Sequence, residues 1–412
     1  MKFGLFFLTE VPRPWDDKSD HKIIQEQLEQ IELADKLGFH SAWSAEHHFL
    51  DEYSHASSPD LIFSAASQRT TNIRFGHGIV QLPTNSPYRV AERLNSLDNI
   101  SGGRVEFGTG EGGPIELAAF DTNVETKREV WREDLEAILR MLKEDPFRGY
   151  DGEHVHLLPR NVLPKPYQRP HPPLWVACPR PETLYLAGRN GLGALSFTLT
   201  MEPERAWEKW VKPYYDIIES DECVPMGDTV NANIIAVAPT MVARDEQTAI
   251  DRGLDGAQFM GFGITNSYGL DGWDYDFQRD LYNQFLRERD ERGFSRELAA
   301  RAMTALSARP ADGDKKSLRG AVGSVEQVRE YMERYEEGGI DLLLLQSQLG
   351  RNSHEDICES MELFAKEIMP AFQDRHEKRE KEKAKRLGPA IDRALERKAK
   401  LPVAGLPEGV PA

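Results

Sequence analysis

Short apolar runs alternate with amphipathic stretches along most of the chain. Runs of strand length occupy 2–8, 41–45, 72–83, 103–110, 171–178, 192–197, 231–242 and 339–346. Stretches with apolar residues three and four positions apart, the period of a helix with one buried face, occupy 21–39, 58–70, 86–101, 125–144, 181–189, 203–219, 244–255 and 354–369. This repeated alternation predicts a parallel β-sheet covered by helices.

Eight strand–helix units predict an α/β fold, a closed (β/α)8 TIM barrel, over residues 1–371. An open doubly wound sheet is built from the same units, and counting them does not separate the two architectures. Three helix ends carry specific signals: we expect Asp20 to cap the first helix, Gly38 to end it, and Ser58 with Pro59 to start the second.

Two segments are longer than the repeat requires. Residues 256–325, before the last strand, are rich in glycine and aromatic residues, which is typical of a lid, although a second small core would use the same residues. Within them, Trp273, Tyr275 and Phe277 are expected to line a substrate pocket or a lid. Residues 372–412 are densely charged and predict a helical extension, either solvated on the surface or able to bind a partner.

Composition excludes several classes of protein. The net charge of −17 argues against nucleic acid as a partner and offers no basic face to a membrane. The first apolar run, at 3–8, is too short for a signal sequence or a membrane span. Cys178, Cys223 and Cys358 lie far apart without a metal-binding or disulfide pattern, so we expect a cytoplasmic protein with no bound metal.

Polar residues follow several predicted strands at the end where barrel enzymes place their active sites. Glu46, His47 and His48 follow the second strand. A histidine at this rim can exchange a proton near neutral pH, or it can serve as a hydrogen-bonded structural residue. The adjacent histidines lack the i, i+4 spacing of a zinc site. The chemistry predicted for this loop is therefore proton transfer.

Two further loops at the same rim are suited to an anion. Glycines 110, 112 and 113 allow a backbone to approach a ligand closely. Thr183 lies where a helix begins, and Arg180 precedes it. Arg128, in the helix after strand four, is a second cation at this rim, although it could instead form a surface salt bridge with Glu125 or Asp121.

Long stretches of the chain resemble the bacterial luciferase-like flavin monooxygenases. The similar stretches are "MKFGLFFLT" (1–9), "GFHSAWSAEHHF" (38–49), "GIVQLPTNSPYRVAERLNSLDNISGGRVEFGTG" (78–110), "LWVAC" (174–178), and parts of 321–372. The resemblance implies a TIM-type barrel that binds reduced FMN, which reacts with O2 to give a C4a-(hydro)peroxide that oxygenates a substrate.

The resemblance also assigns expected roles to individual residues. It implies that His47 is the catalytic histidine, with His48 and Glu46 as its near neighbours. It implies a non-prolyl cis peptide bond at Gly78–Ile79 under the flavin ring, and an acidic residue near the flavin at Glu116. The remaining residues expected to bind the cofactor are Gly110, which replaces a reactive cysteine, and Glu111, Arg128, Arg180 and Thr183.

Glu111 departs from the family pattern. Many members have an arginine here that contacts the FMN phosphate, and a carboxylate beside a phosphate is repulsive. Two arrangements remain open: Arg180 approaches the phosphate from the other loop, or Glu111 pairs with Arg180 and orients it.

These expectations combine into one predicted function, an FMN-dependent monooxygenase acting on a small, mostly apolar organic substrate with O2. We identify no nicotinamide-binding fingerprint of the GxGxxG type in the context of a βαβ unit, so a separate flavin reductase is expected to supply reduced FMN. By analogy with the family, we expect a homodimer. The alternatives are an F420-dependent oxidoreductase on the same barrel and a non-catalytic partner subunit.

Overall fold

The computed structural model describes residues 1–198, 201, 206–267, 280–292 and 321–409. Within them, a ten-stranded sheet contains eight parallel strands that close into a barrel, plus two short additions, Val80–Gln81 and Ala321–Ser324. The barrel strands are β1 (Lys2–Phe7), β2 (Ser41–Ser44), β3 (Arg74–His77), β4 (Val105–Gly110), β5 (Leu174–Ala177), β6 (Gly193–Phe197), β7 (Ile234–Ala243) and β8 (Leu342–Gln346). Each pairs with the next and β8 pairs with β1, which confirms the predicted TIM barrel and excludes the open sheet.

Helices surround the barrel. They are α1 (Ser19–Leu37), α2 (Pro59–Ser67), α3 (Pro87–Ser101), α4 (Pro114–Ala119), α5 (Lys127–Lys143), α6 (Pro181–Arg189), α7 (Lys212–Glu219), α8 (Glu246–Ser267), α9 (Leu281–Arg292), α10 (Val325–Glu337), α11 (His354–Glu367) and α12 (Met369–Ala399). Each of the eight predicted helical segments contains a helix in the described part of the chain. Periodicity did not predict α4 and α10.

Alternation along the strands separates an inner from an outer core. On β8, Leu342 and Leu344 join the cluster inside the barrel, whereas Leu343 and Leu345 join the cluster between barrel and helices. The inner cluster is filled mainly by large side chains: Phe6, Trp43, Trp175, Leu195, Ile235 and Val237. Because strand residues point alternately to the two faces, a continuous apolar run such as that of β8 supplies both cores.

Two tryptophans fill the centre of the barrel. The rings of Trp43 and Trp175 meet edge to face with centroids 5.5 Å apart. Their indole N–H groups donate to Ser41 Oγ at 2.9 Å and to Glu106 Oε2 at 2.8 Å. Gly76 on β3 leaves room for this pair, since a Cβ at that position would lie 2.1 Å from the Trp43 ring.

The helix after β7 was predicted to end at residue 255, and this prediction is wrong because α8 continues to Ser267. Its glycines allow close packing that a side chain would prevent. A Cβ at Gly256 would lie 2.5 Å from the Leu349 carbonyl oxygen, and one at Gly263 would lie 2.4 Å from the Tyr53 ring. Packing thus outweighs the cost of about 1 kcal/mol for each glycine in a helix.

Two other local predictions also need correction. Asp20 is not the N-cap of α1: Lys18 is, and the Asp20 carboxylate accepts a 2.6 Å hydrogen bond from His55 Nδ1. The third predicted strand, 72–83, is shorter, because β3 stops at His77 and the chain resumes pairing only at Val80–Gln81, against β4. Gly38 ends α1 in the left-handed conformation as predicted, with φ of 83°.

The charged extension is a helix that packs on the N-terminal end of the barrel. Along α12, Phe372, Leu387, Ala390 and Ala394 are buried. Lys383 Nζ, on the same helix, donates to Asn233 Oδ1 at 2.6 Å and to Asp341 Oδ1 at 2.7 Å, beside the starts of β7 and β8. The division into a barrel domain, 1–371, and an extension, 372–412, stays a prediction.

We predict that Gly76→Ala lowers the free energy of unfolding by about 3 kcal/mol, because its Cβ has no space beside Trp43. The matched control is Gly388→Ala on α12, where a Cβ meets no atom within 4 Å and the change should stabilise by about 0.5–1 kcal/mol. Urea unfolding of both variants measures the difference. Equal effects would contradict the packing described for the barrel centre.

Candidate active site

His47 lies in the loop after β2, where a buried carboxylate holds its ring. His47 Nδ1 lies 3.0 Å from Glu116 Oε1, at the start of α4. The same oxygen accepts the backbone N–H of His48 at 2.9 Å, and Glu116 Oε2 accepts the N–H of Gly113 at 3.1 Å. The loops after β2 and β4 are therefore joined through a single side chain.

Glu116 stays ionised despite its burial. Desolvation raises its pKa, but the hydrogen bond and the charge of His47, together with the His48 N–H, more than offset this, so its pKa lies below the ordinary value of 4.5. An ionised carboxylate accepts a hydrogen, which fixes the proton of a neutral His47 ring on Nδ1. Nε2 is then the ring nitrogen able to accept a proton.

Glu46 is buried, and it positions the loop that carries His47 and His48. Its carboxylate accepts hydrogen bonds from Asn85 Nδ2 at 3.0 Å and Arg93 Nη2 at 3.3 Å, and lies 3.4 Å from His48 Nε2. Its backbone carbonyl accepts the Gln81 side chain at 2.7 Å. Glu46 thus fixes the histidine loop to the chain after β3. Sequence reasoning missed Gln81, Asn85 and Arg93, although all three fall in the 78–110 stretch of resemblance.

Small residues line one side of the barrel mouth. The strand register and the alternation of side chains place four small residues on the inner face of the barrel. They lie at the C-terminal ends of β2, the β3 region, β4 and β5 and are, in that order, Ala45, Gly78, Gly110 and Ala177. The Gly78–Ile79 peptide bond is cis, as the resemblance predicted. A Cβ at Gly78 would lie 2.6 Å from the Phe6 ring. Glycine and alanine here provide the flat floor that a planar ring system requires.

Glu111 pairs with the cations of α5. Its carboxylate lies 2.8 Å from Arg128 Nε and 3.5 Å from Lys127 Nζ. The prediction that Glu111 pairs with Arg180 is therefore wrong, as is the alternative that Arg128 pairs with Glu125 or Asp121. The reason is that the start of α5 returns to the loop after β4, where Lys127 Nζ also lies 3.5 Å from the Gly112 carbonyl oxygen. Two cations against one carboxylate still leave this group with a net positive charge.

Arg180 and Thr183 form the start of α6. The Arg180 N–H donates to Thr183 Oγ1 at 3.3 Å, and this hydroxyl donates back to the Arg180 carbonyl at 2.8 Å. Thr183 is therefore engaged as a helix cap. The Arg180 guanidinium is exposed and forms no ion pair with any described residue. It remains available to an anion at the positive end of the helix.

The aromatic residues predicted for a lid divide into two groups. Trp273, Tyr275 and Phe277 lie outside the described residues. Phe259 and Phe262 of α8 join a small second core, whose other members are Leu281, Tyr282 and Phe285. Met260 on the same helix joins the inner cluster of the barrel, and Ile264 packs against it. Helix α8 thus covers the mouth with one face and carries a second core on the other.

A cavity of about 460 Å³ opens at the opposite, N-terminal end of the barrel. Two of its carboxylates are already paired: Glu106 bonds Arg74 Nε, and Asp341 bonds Lys383. Burial lowers the pKa of His40, which also lines it, to about 3, so this ring stays neutral. Because this end of TIM barrels serves stability rather than chemistry, we place the active site at the C-terminal mouth.

The geometry places a histidine held by a buried carboxylate beside a barrel mouth that small residues line on one side. In the described ranges no group of three His, Cys, Asp or Glu side chains could hold a metal ion, and no helix has the length and hydropathy of a membrane span.

The chain belongs to the luciferase-like monooxygenase family, whose sequence profile matches residues 1–342. It is 25% identical over 377 residues to the oxygenase component of the flavin-dependent trigonelline monooxygenase of Acinetobacter baylyi, covering 91% of this chain and 96% of that relative. A 167-residue match to the uncharacterized protein y4wF of Sinorhizobium fredii is 36% identical but covers 40% of this chain and 48% of that one. The predicted resemblance, and with it a monooxygenase as the class of enzyme, is confirmed.

Solved structures share the fold. The monooxygenase RslO1 of Streptomyces bottropensis superposes with a TM-score of 0.69 at 26% identity, covering 90% of this chain and all of that one. At 20% identity, the oxygenating constituent of 3,6-diketocamphane monooxygenase from Pseudomonas putida, in complex with FMN, covers 90% of this chain and 98% of that one, with a TM-score of 0.65. At 17%, an F420-dependent secondary alcohol dehydrogenase covers 89% of this chain and 98% of that one, with a TM-score of 0.64. These last two likenesses concern the fold alone.

We predict that Glu116→Gln lowers the free energy of unfolding at pH 7 by about 1–3 kcal/mol, because charge-assisted hydrogen bonds to His47 and His48 are lost. The folded-state pKa of Glu116 is depressed, so this stability is fully present above its ordinary value of 4.5 and is lost as the pH falls through the folded value. Urea unfolding from pH 7 to pH 3 should show the two proteins converging. A difference that stays constant throughout would contradict an ionised Glu116.

Proposed function

We propose that the protein is an FMN-dependent monooxygenase that uses reduced flavin and O2 to oxygenate a small organic substrate. The observation that carries the proposal is the His47–Glu116 pair at 3.0 Å, beside the small-residue floor of the barrel mouth. Family membership supports oxygenation, and the flavin-dependent relative supports the cofactor.

The residues present fit FMN at both ends of the molecule. The isoalloxazine would lie beside Ala45, Gly78, Gly110 and Ala177, which themselves contribute no more than a methyl group. The phosphate would meet Arg180, the start of α6, and the net positive group of Lys127, Arg128 and Glu111. When bound, reduced FMN supplies the activation of O2, which no side chain provides.

The chain's own residues would then manage protons and exclude water. Glu116 holds the His47 ring with Nδ1 protonated, so that Nε2 takes or returns a proton at the oxygenated centre. Glu46, through Asn85 and Arg93, keeps the loop in place. Met260 of α8 packs over the mouth, and a dry mouth limits loss of activated oxygen as H2O2.

A separate flavin reductase is proposed as partner because the relative from Acinetobacter baylyi is named an oxygenase component. The reducing cytoplasm is proposed as the compartment because the three cysteines are unpaired. A homodimer remains part of the proposal by family analogy. The second candidate is F420-dependent hydride transfer, which the shared fold of the alcohol dehydrogenase keeps open; O2 uptake with reduced FMN separates the two.

We predict that His47→Gln lowers the rate of substrate oxygenation at least about 100-fold and raises the fraction of O2 released as H2O2, because proton transfer is lost. The assay supplies reduced FMN and O2 with a panel of ketones, aldehydes and aromatic compounds. His156→Gln is the control, since His156 lies on an exposed hairpin paired with Asp151. If the two variants behave alike, His47 has no role in proton transfer.

A second pair of variants tests the phosphate end. Glu111→Gln should tighten FMN binding about 3- to 5-fold, because a negative charge near the phosphate is removed and Arg128 is released. Arg180→Gln should weaken it about 5-fold, a small effect because the guanidinium is exposed. Riboflavin, which lacks the phosphate, serves as the control ligand and should bind all three proteins equally. If the variants change the affinities for riboflavin and FMN equally, the phosphate does not bind near Glu111 and Arg180.

A further inference from the structure

Gln346, the last residue of β8, carries an amide that is fully buried and unpartnered. Its side chain is 0% exposed, and neither Oε1 nor Nε2 has a hydrogen-bond partner among the described residues. A buried donor or acceptor left unsatisfied is destabilising, and most buried polar groups in proteins are paired. An amide with both atoms unpaired in a rigid strand therefore indicates a ligand that pairs with it.

The direction of the Gln346 side chain follows from the strand. Leu342 and Leu344, four and two residues earlier, belong to the inner cluster of the barrel, so residue 346 points inward as well. Gln346 is in register with Pro239 of β7, and the pairing of Leu345 with Leu5 places it beside Phe6. The amide therefore faces the C-terminal mouth, at the level of the Phe6 ring.

The loops that follow β1 and β8 add further unpartnered groups. Gln348 Nε2 donates to the Glu10 carbonyl at 3.0 Å, whereas Gln348 Oε1 is buried without a partner. Glu10 Oε2 accepts the Gly350 N–H, and Glu10 Oε1 is buried without a partner. Three neighbouring side chains of the described chain thus offer unused hydrogen-bonding capacity on one side of the mouth. We call Glu10, Gln346 and Gln348 the β8–β1 wall.

The β8–β1 wall favours neutral groups. Desolvation raises the pKa of Glu10 well above 4.5, against the opposing hydrogen bond from Gly350, which favours the uncharged carboxyl group. Gln346 and Gln348 are neutral amides. Arg128 and Arg180 lie on the units of β4 and β5 instead. None of the three wall side chains is a cation, and burying an unpaired charge against them would be costly.

We propose that the β8–β1 wall binds the substrate through Gln346, and that the substrate is a neutral molecule with a donor and an acceptor side by side, such as a lactam, carboxamide or hydroxy ketone. This inference rests on the proposed function, in which the flavin occupies the β3–β5 side. It replaces the expectation of a mostly apolar substrate, because a hydrocarbon would leave the amide of Gln346 unsatisfied. The apolar remainder of such a molecule would contact Phe6, Leu8 and Phe197.

The test measures binding of four six-membered rings by calorimetry, without flavin and with oxidised FMN. The probes are δ-valerolactam, cyclohexanone, methylcyclohexane and cyclohexanecarboxylate. Gln346→Leu, which keeps the volume but removes the amide, should weaken δ-valerolactam about 10-fold or more and cyclohexanone less, and should leave methylcyclohexane unchanged or tighter. Cyclohexanecarboxylate should bind the wild-type protein weakest of the four.

Ser196→Ala is the matched control. Ser196 Oγ is also buried and unpartnered, but it lies on the outward face of β6, since Leu195 points inward. Both variants should melt at or above the wild-type temperature, because an unsatisfied polar group is removed from each, and this shows that both fold. Only Gln346→Leu should change the relative affinities of the probes.

Three results would overturn the proposal: δ-valerolactam fails to bind the wild-type protein in both conditions, Gln346→Leu changes all four probes alike, or it weakens FMN rather than the lactam. The last result would make Gln346 a cofactor residue. Failure of the proposed function is distinguishable, because the flavin-free arm does not depend on FMN. If reduced FMN and O2 give no oxygenation while the selectivity for the lactam persists, binding at the β8–β1 wall is supported and the proposed reaction is contradicted.

Discussion

The closed barrel imposes one constraint on everything at its mouth: the interior below the mouth must be filled by side chains that leave the rim a firm base. Trp43 and Trp175 fill the centre, and Gly76 is needed to admit them. Above this level, Gly78 and Gly110 remove side chains from the wall. Because the floor is rigid, groups placed on the rim keep their separations, and a hydrogen bond such as that between His47 and Glu116 can hold a ring in one orientation.

Strand periodicity made the fold predictable, since runs of apolar residues separated by helical patterns specify a parallel sheet. Closure was not predictable from counting, because it depends on pairing between β8 and β1, at opposite ends of the described barrel. Local signals failed where tertiary contacts compete with them. Asp20 pairs with His55 instead of capping α1, and glycines that suggest a helix end within α8 allow its close packing on Leu349 and Tyr53.

The site was predictable in its residues and less so in their pairings. The EHH loop and the glycine-rich loop were identified because each follows a predicted strand. The partners of Glu46 and Glu116 were not predictable, because both are glutamates that follow a strand and yet they have different partners. Glu46 is tied to Asn85 and Arg93, whereas Glu116 holds His47. Glu111 pairs with Arg128 rather than Arg180 because partner choice depends on which helix start lies nearest, which no local pattern encodes.

The mouth is electrostatically divided, and the division indicates how one site could handle two different molecules. The β4–β5 side carries Arg180 and the net positive group around Arg128, which suits an anionic cofactor. The β8–β1 wall offers neutral donors and acceptors in a buried setting, where hydrogen bonds are strong and charges are penalised. His47 lies in the loop after β2, between the two sides. A proton acceptor at this boundary can act at the point where cofactor and substrate meet.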